Sequence, residues 1–191
     1  MNFISIYDKS LSATQCNEII EYFESSNQKQ IGKYNVGLVD KTIKDSIDVR
    51  KEFSDDDKVT NTLLLGIVNG LSRYKSEQPE LESLEAWSLD NCFNLQKYNP
   101  GGGYFLSHCE QGSKFPSNIR MLVWMIYLNT VTDGGETNFP QHNFKTEAKT
   151  GRLVIWPAGW THFHHGIVSP TQTKYIATGW FNYSTDHDKN S

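Results

Sequence analysis

Cysteine is scarce and poorly spaced for pairing. Cys16, Cys92 and Cys109 are odd in number and contain no C-x-x-C pair, which argues against a disulfide framework and for a reduced, cytoplasmic setting. No apolar run approaches the roughly eighteen residues a membrane-crossing helix needs, and no charged-then-apolar leader opens the chain, so no membrane partner is expected. No basic stripe is present. With a net charge of −4 and a pI near 5.8, a nucleic acid is not an expected partner. Internal repeats and Pro/Gly/Ser linkers are also missing, so a single domain spanning 1–191 is expected. What the chain does have is 37% hydrophobic and 13% aromatic residues over 191 positions, enough to bury a sizeable core.

The periodicity changes once along the chain. Ser12 and Gln15 form a capping-box pattern, Leu11 precedes it, and Ile19, Ile20 and Phe23 follow at helical spacing, which predicts a helix over 13–25. Ser54 with Asp57 opens a second, carried by Val59, Leu63, Ile67, Leu71 and Tyr74 to about residue 76. Residues 26–52 are polar and irregular, with KDSIDVR as a candidate edge strand. From residue 87 the pattern turns to period two. The strands expected there are NCFNLQKY, Tyr104 to Glu110, the apolar run Arg120–Asn129, Arg152–Trp156, and a closing hairpin of THFHHGIV with KYIATGWFNY. The tail TDHDKNS reads as frayed. Helices first and about seven short strands after them predict an α+β domain, with support over about 1–86 and a sandwich or barrel over about 87–184.

Within that second half lies a candidate metal site. On a strand, His108 and Glu110 project to one face while Cys109 turns away. Residues 162–165, HFHH, offer a further imidazole from His162, His164 or His165. Two histidines and one carboxylate with open positions form the facial arrangement of non-haem Fe(II) sites. Lys174 heads the last strand with Ile176, Thr178 and Trp180 on its face. An ammonium on an inward strand face is expensive unless it meets an anion, and no carboxylate but Glu110 is placed to supply one.

Five ordered motifs over residues 98–181 resemble the prolyl-4-hydroxylase-type Fe(II)/2-oxoglutarate dioxygenases. Tyr98-x-Pro100-Gly101 followed by His108-x-Glu110 resembles the family's Y-x-P-G…H-x-D opening. Tyr127-Leu128-Asn129, Gly134-Gly135-Glu136 and Gly151-Arg152-Leu153 leading into Trp156-Pro157 resemble its central motifs. The closing H-x-G and K-Y-I-x-T-G-W resemble its last hairpin. The resemblance implies a double-stranded β-helix (jelly-roll) core with supporting N-terminal helices. It implies iron held by His108, Glu110 and a distal histidine, with His164 preferred because it opens the H-x-G pattern and His162 as the alternative. It further implies 2-oxoglutarate on the iron with its far carboxylate on Lys174, assisted by Thr178 and Tyr127, with Tyr98 beside it and Trp180 beneath. O2 would be the oxidant and ascorbate a reductant. One departure is Glu110, where most of the family carries Asp. The implied activity is hydroxylation of a C–H bond in a peptide, protein or small molecule, and the family name suggests a prolyl residue. The alternatives are a cupin-like isomerase or lyase, which would not need Lys174, and a non-catalytic metal-binding domain on the same barrel, against which stand all three ligand types and the anion anchor. The loops at 30–56 and 111–118, with Lys114 and Phe115, are expected to edge the mouth.

Overall fold

The computed structural model describes residues 2–34, 37–54 and 56–184, so the expected frayed tail lies outside the described residues. In chain order the elements are β1 (Ser5–Tyr7), α1 (Ala13–Ser25), β2 (Gln30–Ile31), β3 (Ile47–Glu52), α2 (Lys58–Glu77), β4 (Trp87–Tyr98), β5 (Arg120–Tyr127), β6 (Thr137–Phe139), β7 (Phe144–Thr146), β8 (Leu153–Pro157), β9 (His165–Gly166) and β10 (Lys174–Tyr183). Both bonds of the predicted capping box form at Ser12 and Gln15. The second helix is capped by Asp57, whose carboxylate accepts from the Thr60 amide, and not by Ser54.

A seven-stranded sheet in the order β1-β8-β5-β10-β4-β3-β2 faces a three-stranded sheet, β7-β6-β9, giving the double-stranded β-helix. The long sheet is buried on both faces. Its outer face meets the helices, where Leu122, Trp124 and Ile126 of β5 pack with Ile19, Phe23, Leu63 and Ile67. Its inner face meets the short sheet, where Val123, Met125 and Tyr127 pack with Phe139 and Trp156. Burial on both faces is why β5 reads as an unbroken apolar run.

Two expected strands are corrected. The segment His162 to Val168 does not form a hairpin with β10, because β4 and β5 already occupy both edges of β10. Instead residues Trp160–His162 make a 3-10 turn, and the two residues of β9 pair with β6 across the barrel. Nor is 104–110 a continuous strand. Its backbone changes partner every two residues or so: the Phe105 amide donates to Ile43 O, His108 pairs with His164, and the Glu110 amide donates to Ala158 O. Leu106, expected on the same face as His108, is half exposed.

Gly151 and Gly101 both have positive φ, at +74° and +83°. A Cβ on Gly151 would lie 2.0 Å from the Leu11 carbonyl oxygen, whereas one on Gly101 would meet nothing within 4 Å. Gly101→Ala is therefore expected to cost about 1 kcal/mol, the left-handed backbone penalty alone. Gly151→Ala should cost roughly 3 kcal/mol or more, because backbone must also move. Urea unfolding of the two variants checks this, and equal losses would contradict the close approach.

Candidate metal centre and the cavity around it

Between the sheets lies a cavity of about 770 Å³. Alternate residues of β10, namely Lys174, Ile176, Thr178 and Trp180, run along one wall, as the period-two reading requires. Beside them stand Asn94, Gln96 and Tyr98 of β4. These polar β4 positions face the cavity and not bulk water, which is why the strand alternates while lying inside the sheet.

His108, Glu110 and His164 converge at one end and can hold a metal ion, their ligand atoms all lying within 4.8 Å of one another. The histidine backbones are locked by reciprocal bonds, His108 N to His164 O at 3.0 Å and His164 N to His108 O at 2.8 Å. Each ring is then turned by its own Nδ1, which donates to a main-chain carbonyl: Leu106 O for His108 at 2.9 Å and His162 O for His164 at 3.0 Å. That choice of tautomer leaves both Nε2 lone pairs directed at the centre. Tyr104 stacks on the His108 ring, and Trp156 and Phe139 pack on the ring of His164.

Glu110 divides its two oxygens. Oε1 lies 3.4 Å from His108 Nε2 and 3.6 Å from His164 Nε2. Oε2 accepts from Trp180 Nε1 at 3.0 Å and from Arg120 Nη1 at 3.1 Å. Arg120 also donates to the Glu110 carbonyl, so side chain and backbone are held by one guanidinium. Burial opposes ionisation of Glu110, but the groups around the carboxylate, Arg120 among them, outweigh it and hold the carboxyl well below its usual range. Burial likewise lowers the His164 pKa, favouring the neutral, ligating imidazole. The separations of 3.4 and 3.6 Å are long for direct hydrogen bonds. They do suit donors converging on one ion, where bonds of about 2.0–2.2 Å set neighbouring ligand atoms roughly 3–3.5 Å apart. Two neutral imidazoles and one carboxylate with an open side toward the cavity fit ferrous iron.

The other sequence-predicted residues separate into two groups. Lys174, Tyr98, Thr178 and Trp180 line the cavity. Lys174 is 7% exposed, its Nζ donates to Gly135 O at 3.3 Å, and it lies 5.0 Å from the centre of the Tyr98 ring. Among the described residues it has no carboxylate within ion-pair distance, and burial lowers its pKa to about 8 despite the more distant Glu136. The Tyr98 hydroxyl donates to Gln96, and that of Thr178 donates to Trp124 O. Tyr127 does not reach the cavity: its hydroxyl is engaged with Thr137 Oγ1 at 2.7 Å and Thr146 O at 3.3 Å. His162 also points elsewhere, with Nε2 on Asn2 O and Nδ1 on Thr161 Oγ1. The His165 side chain lies near Asn138, away from the converging group.

Sequence reading missed Arg120. Strand parity puts it with Leu122 and Trp124, facing the helices. However, β5 carries an extra residue at this end, since Asn182 pairs with Arg120 where regular register would give Met121. Met121 and Leu122 therefore both face the helices, and Arg120 is turned into the cavity.

Residues 93–182 match the family model described as the 2OG-Fe(II) oxygenase superfamily. No curated protein has a sequence that matches this one. Among solved structures, the fold is similar to that of a viral collagen prolyl hydroxylase from Paramecium bursaria Chlorella virus-1 in a 2OG complex. The TM-score is 0.72 at 17% identity, over 96% of this chain and 97% of that one. A Pseudomonas putida prolyl-4-hydroxylase is similar with a TM-score of 0.69 at 17% identity, over 97% and 95% of the two chains. A Trichoplax adhaerens prolyl hydroxylase in complex with a hypoxia inducible factor peptide fragment is similar with a TM-score of 0.74 at 14% identity, over 100% and 88%. Likeness at these identities establishes a shared fold.

A buried, unpaired ammonium weakens the fold. The fall from 10.5 to about 8 corresponds to about 3 kcal/mol at neutral pH, since the unfolded chain holds that proton more tightly. Lys174→Met is expected to stabilise the ligand-free protein by an amount of that order near pH 7. Because a depressed lysine pKa makes stability rise between the folded and unfolded values, the advantage should shrink from about pH 8 toward 10.5. Urea unfolding at both ends of that window checks it. A destabilised variant near neutrality would contradict the unpaired state.

Proposed function

We propose that this chain is an iron(II)- and 2-oxoglutarate-dependent oxygenase, a reading that the match of residues 93–182 supports, and that it hydroxylates a prolyl residue in a peptide or protein. His108, Glu110 and His164 are assigned as the iron ligands and Lys174 as the anchor for the far carboxylate of 2-oxoglutarate. The observation that carries the assignment is the pairing, in one cavity, of a three-donor centre with a buried ammonium that lacks an acidic partner among the described residues. The fold shared with prolyl hydroxylases supports the choice of a prolyl substrate. Among the described residues no helix is long and apolar enough to cross a membrane. Free Cys16, Cys92 and Cys109 support the reducing, cytoplasmic setting that goes with the proposal.

When bound, ferrous iron supplies the oxidising chemistry, with O2 consumed and 2-oxoglutarate decarboxylated to succinate. The protein's part is binding and orientation. Lys174 takes one carboxylate by a charge-assisted bond, and the ring of Tyr98 supports the ammonium from below. Gly166 leaves space beside that ammonium, since a Cβ there would touch Nζ at 3.4 Å. Trp180 and Arg120 occupy Glu110 Oε2 and so leave Oε1 as the ligating oxygen. Met125, Trp156 and Ile176 make that end of the cavity apolar, which strengthens each electrostatic contact inside it.

The proposal is tested by incubating the protein with Fe(II), ascorbate and labelled 2-oxoglutarate, with and without proline-containing peptides. Labelled CO2 should be released, peptide should stimulate it, and proline should gain one oxygen. Absence of 2-oxoglutarate turnover overturns the oxygenase reading, and oxidation at another residue overturns the prolyl one. Lys174→Ala should raise the 2-oxoglutarate KM by roughly tenfold to a hundredfold, the loss of about 1.5–3 kcal/mol for one charged contact, with a far smaller effect on kcat. An unchanged KM would remove the anchor. Glu110→Asp, although it restores the family's usual residue, should weaken divalent-metal binding roughly tenfold or more, because the shorter arm cannot serve the imidazoles and Trp180 together. Anaerobic calorimetric titration with Fe(II) reads this directly, and equal affinity would contradict the divided carboxylate.

A further inference from the structure

The walls of the cavity change character from floor to mouth. At depth each charge has an assigned partner or role: Arg120 meets Glu110, Lys44 meets Asp48 at 2.7 Å, and Lys174 is reserved for the co-substrate. At the mouth three further cations line the opening: Lys33 after β2, Arg50 on β3, and Lys114 in the loop before β5. All three are exposed, and none has a carboxylate within ion-pair distance among the described residues. The carboxylates on the same walls, Asp48 and Glu110, are already engaged. Arg50 moreover stands near enough to Arg120 for the two positive charges to oppose each other. A chain of net charge −4 thus carries unneutralised positive charge around the entrance to its one metal centre among the described residues.

The same opening is edged by apolar side chains held in water. Ile31 is 53% exposed, Leu38 55% and Phe115 69%. Ile31 belongs to β2, the last strand of the long sheet, whose outer edge pairs with no other strand among the described residues. An unpaired strand edge beside a cleft favours an extended polypeptide, and cations mixed with apolar groups favour acidic and apolar residues on it. Three cations on a chain of acidic pI are a weak footing for a nucleic-acid backbone.

Resting on the oxygenase reading above, we infer that the substrate is an acidic polypeptide segment. Its carboxylates lie against Lys33, Arg50 and Lys114 while the residue to be oxidised enters the cavity.

The test uses binding and needs no turnover. Three fluorescein-labelled peptides share one backbone around a single proline, with Glu, Gln or Lys at the flanking positions. A single-stranded oligonucleotide of matched charge is the fourth probe. Anisotropy is read with the parent protein loaded with Mn(II) and 2-oxoglutarate. The Glu peptide should bind about tenfold tighter than the Gln peptide at low salt, since several exposed pairs add modestly, and that margin should fall as salt rises. In the triple variant Lys33→Glu, Arg50→Glu, Lys114→Glu the order of Glu and Lys peptides should reverse. Reversal is a gain that a misfolded variant cannot show. Equal binding of Glu and Gln peptides, or tighter binding of the oligonucleotide, overturns the inference. An acidic preference without CO2 release would instead sink the oxygenase reading, and CO2 release without the preference would sink only this one.

Discussion

The structure depends on keeping one positive charge almost wholly buried in a cavity wall. Lys174 is 7% exposed in a cavity wall that it shares with Ile176, Thr178 and Trp180, beside Gln96 and Tyr98. A group in that position either loses its proton or finds an anion. Its nearest partner is a main-chain carbonyl, which satisfies one N–H and neutralises nothing. The fold therefore carries, near neutral pH, an unfavourable term that a bound anion would remove. The cavity leaves space for that anion beside a three-donor metal centre.

A second tension sits at the other end. The carboxylate among the three donors is one methylene longer than the Asp usual in the oxygenases that the sequence motifs resemble. Its extra reach is taken up because Oε2 is held by Trp180 and Arg120, so one oxygen is fixed by the protein and the other left to the ion. The histidines follow the same logic through Nδ1 bonds to carbonyls of neighbouring residues. Each ligand is thus oriented by a contact on its far side, and the sheets supply those contacts.

Much of this was legible in the sequence because the period-two pattern of β10 survives folding. Lys174, Ile176, Thr178 and Trp180 share a face in the chain and share a wall in the protein. The helices were legible for the same reason, through their caps and apolar stripes. What was not legible came from local breaks in register. A bulge turns Arg120 inward, against strand parity. The segment carrying His108 and Glu110 is no strand, and its pairing with His164 rests on two long-range backbone bonds that spacing cannot reveal. Among His162, His164 and His165, the choice was made by a 3-10 turn that directs the first ring toward Asn2. Tyr127 carried a recognisable motif yet sits behind the wall, bonded to Thr137.

The most direct measurement is a crystal structure grown without oxygen, with a divalent metal and 2-oxoglutarate bound. The expected result has the ion on His108 Nε2, His164 Nε2 and Glu110 Oε1, the keto acid on the ion, and its far carboxylate within ion-pair distance of Lys174 Nζ. An ion held by other residues, or a co-substrate whose far carboxylate lies away from Lys174, would contradict it.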